Sequence, residues 1–139
     1  MAGSFNDYLE LKFLEEAVGK TAFVMPTAYI ALSRADPGES GAGLDEPTIG
    51  LLGYARIQTT AANWGTAAAG AIVNAQILAY AEATGSWGTC SHWIAFDAAS
   101  GGNALFYGTI DYEGVPTPKT ITGGDTASFA VGAIGVTLT

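Results

Sequence analysis

The sequence predicts an all-β fold, an antiparallel β-sandwich of jelly-roll type, with one N-terminal amphipathic helix. Three observations lead there. Apolar residues recur every three or four positions near the N-terminus and every second position afterwards. The alternating segments are short. Clusters of Gly, Pro, Asp and Asn separate them, as in DAASGGN, DYEGVPTP and TGGD. No linker-like tract or exact repeat interrupts the 139 residues. The expectation is a single domain over 1–139, with the helix at about 5–18 and the sandwich at about 22–139.

The helix comes first. Ser4 and Asp7 form an S-x-x-D pattern suited to an N-cap. Tyr8, Leu11, Leu14 (or Glu15) and Val18 then follow at helical spacing, and Asp7, Glu10, Lys12 and Glu16 fall mostly on the other face. Leu9 and Phe13 add a second apolar edge. Gly19 is placed to end the helix. After Pro26 the period changes to two, with Ala28, Ile30 and Leu32 alternating with Tyr29, Ala31 and Ser33. Tyr54–Thr60 alternates again. Later strand candidates are Ser91–Phe96, Ala104–Ile110, Lys119–Thr122, Thr126–Val131 and Ile134–Leu138. Ala67–Ala83 is rich in alanine, which favours helix, but its alternation fits a strand, and the surrounding β pattern decides for a strand. The terminal segment alternates and belongs to the sheet, where it can form an edge open to another chain.

Composition narrows the function classes. Lys, Arg, Asp and Glu make up 13% of the chain, against about 25% in an ordinary soluble domain. Thirteen acids against five bases give a net charge of −8. Hydrophobic residues reach 49%, which excludes a disordered chain. Five scattered cations cannot neutralise a phosphate track or an anionic membrane surface. The longest uncharged stretch, Ile57–Ala81, contains Gln58, Asn63, Asn74, Gln76 and several threonines, so it is not an apolar span. MAGSFNDYLE lacks the basic region and apolar core of a secretion signal. A chain this poor in charge has little to hold neighbours away. It fits an assembly subunit, or a small monomer with a polar uncharged surface.

Catalytic chemistry finds few carriers. Cys90 and His92 are two residues apart and share a face if they lie on one strand, but no charged group in sequence reach favours the thiolate. Carboxylates pair at Glu15–Glu16, Asp45–Glu46 and Asp111/Glu113 without a spacing that singles out a glycosidase pair. The loop Asp36–Glu46 offers Asp36, Glu39, Asp45 and Glu46 to Ca²⁺ but lacks the EF-hand pattern. GESGAG is not a Walker loop. A lone Cys rules out a Cys-rich zinc site. We therefore expect no enzyme activity, no catalytic residue, no metal and no cofactor. Among the aromatic residues, Trp87 lies in a turn-like GSWG setting and is the candidate for an exposed contact, to a protein or to a sugar.

The segments YIALSRADPGESGAGLDEP, GYARI, ATGSWGTCSHWIAFDAASGGNALFYGTI and PKTITGGDTASFAVGAIGVTL, following the helix SFNDYLELKFLEEAVG, carry a family signal. In this order they resemble a family of small phage and prophage proteins commonly labelled phage tail fibre proteins. The likeness runs almost to Leu138; Cys90–Trp93 and DYEGVPTP depart from the pattern. It implies a non-enzymatic structural protein of the virion, put together in the bacterial cytoplasm, with other virion proteins as partners and no nucleic acid or membrane insertion. A homo-oligomer is expected, preferably a trimer. A capsid decoration (cement) protein and a glycan-binding module are the alternatives. The candidate subunit contacts are Tyr8, Leu11, Leu14 and Val18 on the helix and Val136 and Leu138 on the last strand. Loops Asp36–Glu46 and Asp97–Asn103 are candidates for the outward face.

Overall fold

The computed structural model describes residues 2–138. Strand β1 (Ala2–Phe5) leads straight into helix α1 (Asp7–Ala17). The strands β2 (Tyr29–Ser33), β3 (Ile57–Gln58), β4 (Ala71–Val73) and β5 (Leu78–Ala79) follow. Next come β6 (Gly88–Cys90), β7 (His92–Phe96), β8 (Ala104–Thr109), β9 (Asp111–Tyr112) and β10 (Val115–Pro116). The last are β11 (Lys119–Ile121), β12 (Ser128–Phe129) and β13 (Gly135–Thr137). The all-β class with one helix holds.

Seven strands form one curled sheet in the order β3-β2-β7-β8-β1-β13-β4. Three two-stranded ribbons, β9–β10, β6–β11 and β5–β12, complete the strand inventory of the described residues. Every pairing is antiparallel except β1 with β13. The centre of the sheet is buried on both faces. Ile30, Leu32, Trp93, Ala95 and Leu105 join the ribbon residues Leu78, Cys90, Ile121 and Phe129 in the main core. Ala31, Ile94 and Phe96 form a smaller cluster on the opposite face, under Leu44, Ala104 and Tyr107. Strands this deeply covered need branched and aromatic residues at consecutive positions, as YIALS and HWIAF have.

The tight centre explains two glycines. A Cβ on Gly108 would lie 2.7 Å from Cζ2 of Trp93, and one on Gly3 would fall on the Tyr107 carbonyl. The indole can lie across β8 and β1 only because both positions lack side chains.

Several local expectations are corrected. Ser4 is in β1 and does not cap the helix; Asn6 is the N-cap residue. The Asn6 side chain makes no capping bond and instead donates to the carbonyls of Gly38 and Glu39, at 3.0 and 2.8 Å. That ties the helix start to the loop after β2. Gly19 ends the helix as expected, with φ +71° and its N–H bonded to Glu16 O. The helix packs through Leu9 and Phe13, with the Phe13 ring 5.3 Å from that of Phe5. The stripe Leu11, Leu14, Val18 lies on the opposite side, because at 100° per residue it is half a turn from Leu9 and Phe13. Ala67–Ala83 yields two short strands rather than one, since Asn74 turns the chain between them. Asn74 is fully buried. Its Nδ2 donates to Gln76 O and Ala130 O, and its Oδ1 accepts from Ile134 N. The last strand is interior, paired to β1 on one side and β4 on the other, so it offers no open edge.

Candidate functional site

Two arginines organise the loops that flank β2 and β7. Arg34, just past β2, forks onto Asp45, with Nε 3.1 Å from Oδ2 and one terminal nitrogen 2.7 Å from Oδ1. Its other terminal nitrogen donates to Trp87 O at 3.1 Å. This guanidinium holds the Asp45 carboxyl below the usual carboxylate range. Arg56 is deeper. It forks onto Glu46 at 2.9 and 2.8 Å, donates to Ala98 O and Gly101 O at 2.8 Å each, and lies 3.9 Å over the Phe96 ring. The Tyr54 hydroxyl donates to Glu46 Oε1 at 2.7 Å and accepts from Leu32 N at 3.0 Å. The Arg56 and Glu46 side chains are only 2% and 10% exposed. A buried pair with its remaining hydrogen bonds satisfied is a structural clasp. Asp45 and Glu46, a carboxylate pair in the sequence, are thus taken up by arginines.

Sequence reasoning missed this clasp. The signal was available: two arginines and an adjacent Asp–Glu stand out in a chain so poor in charge. The clasp draws together LSRADPG, DEP, GYARI, GSWGT and FDAASGG, the segments on which the family likeness rests.

The other candidates are placed as follows. Trp87 is 1% exposed, which corrects its expected role as a surface contact. Its indole N–H donates to Leu52 O at 2.9 Å, and its ring stands edge-on to Tyr54 and Tyr80 at 5.2 and 5.9 Å. Val136 is buried, so it offers no contact surface, whereas Leu138 is exposed. Tyr8 is half-buried. Leu11, Leu14 and Val18 are 62%, 65% and 79% exposed. Cys90 and His92 belong to different pairings: Cys90 lies opposite Lys119 in a ribbon, and His92 opposite Ser33 and Thr109 in the main sheet. The imidazole faces Ser91 Oγ at 2.8 Å and Asp36 at 3.9 Å. Among the described residues no group of three or more His, Cys, Asp or Glu could hold a metal ion, and no helix is long and apolar enough to cross a membrane.

Burial pushes the Cys90 thiol up to about 11 and raises the Tyr54 and Tyr80 phenols above their ordinary range. Below about pH 7.5 these groups keep their protons in both folded and unfolded chains. Above it the unfolded chain releases them while the folded chain holds them. Stability should therefore fall as pH climbs from about 8 toward 11. Melting temperatures across that range check this, and a flat profile would contradict it.

The surface carries its charge unevenly. The segments 57–81 and 126–139 contain no Asp, Glu, Lys or Arg, so all thirteen acids and five bases lie elsewhere. The fold brings the two segments together. β4 pairs with β13, β5 pairs with β12, and Asn74 bonds to Ala130, Gly132 and Ile134.

A family model described as Podophage GP4 fiber I protein gp80 matches residues 4–137. The chain belongs to this family. It is a phage structural protein, a component of the virion of tail-fibre type. No curated protein matches the chain. The arginine clasp and the aromatic core hold the fold together, and the outer face of α1 lies outside both.

Proposed function

We propose that this fibre-family protein works without catalysis, as one folded unit that assembles with copies of itself and docks on other virion proteins, in the host cytoplasm. The observation that carries the reading is the outer face of α1. Its inner residues Leu9 and Phe13 already fill the core, yet Leu11, Leu14 and Val18 stand in solvent. A contiguous apolar stripe with no intramolecular partner marks an interaction site. Asp7, Glu10 and Glu16 are exposed on the same helix, so it suits a partner virion protein with basic residues at the rim. A trimer is the expected order of self-assembly.

Light scattering across a concentration series should show an oligomer. A strict monomer at the highest concentration would remove self-assembly and leave docking. Leu14→Glu should abolish incorporation into particles without unfolding the chain, read by quantitative mass spectrometry of purified virions. Immunolabelling of the same particles places the protein. Label at the tail supports a fibre role, and label over the head would make it a decoration protein.

A further inference from the structure

Beyond the core residues that they supply, such as Leu78, Phe129 and Ile134, the uncharged segments keep apolar side chains in solvent. Ile77 and Val131 are 64% and 60% exposed, and Val73 and Leu138 are exposed as well. Val73, Ile77 and Val131 lie around the buried Asn74: Val73 precedes it, Gln76 beside Ile77 accepts its side chain, and Val131 lies between Ala130 and Gly132, both bonded to it. On the other side of β4 from Val73, Ile72 lines a groove of about 610 Å³ together with Phe5, Phe13, Met25, Trp64 and other uncharged residues.

Charge decides what covers the uncharged face. A partner of opposite sign would be drawn to the acidic surface, not to a face without charge. Another copy carries the same −8, so copies repel wherever acids meet acids, as around α1, the Asp36–Glu39 loop and Glu82. Each such pair at close range costs on the order of 1 kcal/mol even in water. The uncharged face lets two copies meet without that cost.

We propose that copies of this chain meet through the uncharged face of β4, β5, β12 and β13. This rests on the self-assembly proposed above and names its surface. The outer face of α1 is then left for a different virion protein.

Sedimentation velocity on the full chain tests it. Val131→Glu and Ile77→Glu should each weaken association by on the order of 100-fold or more, since a charge is buried without a partner. Circular dichroism and melting should be unchanged, because both residues are exposed in the single chain. Leu14→Glu should stay assembled. If the two variants assemble like the wild type while Leu14→Glu dissociates, self-assembly stands and this face is wrong. A wild-type chain that is monomeric at every concentration overturns both. Salt gives a second readout on the unaltered protein. Raising ionic strength screens the −8 repulsion and should tighten assembly, whereas an interface built on ion pairs would loosen.

Discussion

Replacing Glu46 by alanine should cost about 3–5 kcal/mol of folding stability, the usual loss when one member of a buried ion pair is removed. The Arg56 guanidinium would keep its two carbonyl partners, Ala98 O and Gly101 O, but would sit on Phe96 with an uncompensated buried charge. The Tyr54 hydroxyl would lose its acceptor. Urea unfolding of the variant against the wild type measures the loss. The double variant Glu46→Ala, Arg56→Met should recover much of it, because no charge is then left buried. A single-variant loss under about 1 kcal/mol would mean that the pair behaves like a surface one.

Trp87→Ala should be comparably damaging, at about 3–5 kcal/mol. It removes an indole packed against Tyr54 and Tyr80 and deletes a hydrogen bond to Leu52 O. The same substitution separates two roles for this residue. A surface sugar contact would be lost with the fold intact, whereas a core residue takes the fold with it. Thermal melting and near-ultraviolet circular dichroism should show the second outcome. An unchanged melting temperature would contradict the burial.

Trp87 also shows where a single sequence stops being readable. GSWG reads as a turn, and the backbone does turn there, with Gly88 at φ +82°. Nothing local tells which way the indole points; that depends on a pocket built by Tyr54 and Tyr80, far away in the chain. The central strands were legible, because β2, β7 and β8 are dense in branched and aromatic residues and bounded by turn chemistry. β1 was not, since AGSF has three small residues and no alternation, and it is held by neighbours on both sides. The helix was legible in extent but not in orientation. It has apolar residues on two opposite faces, and only the fold decides that Leu9 and Phe13 go inside. Of the candidate contacts, Leu11, Leu14, Val18 and Leu138 remain at the surface, and Val136 and Trp87 do not. The uncharged segments were visible one by one. That they form one face is a matter of strand pairing, which the sequence does not print.

The pairing of β1 with β13 bears on how the molecule comes to be folded. Ala2 lies opposite Gly135 and Gly3 opposite Val136, so a central seam of the sheet joins residues separated by almost the whole chain. Contacts of such long sequence separation must close a large loop before they give anything back, which slows folding. During synthesis β1 can pair with β8 but has to wait for β13 to be made, and until then β1 and β4 each lack a neighbour on the seam side. The nascent chain thus spends its longest interval with unpaired strands in the middle of its sheet, the state most prone to pair with another unfinished copy.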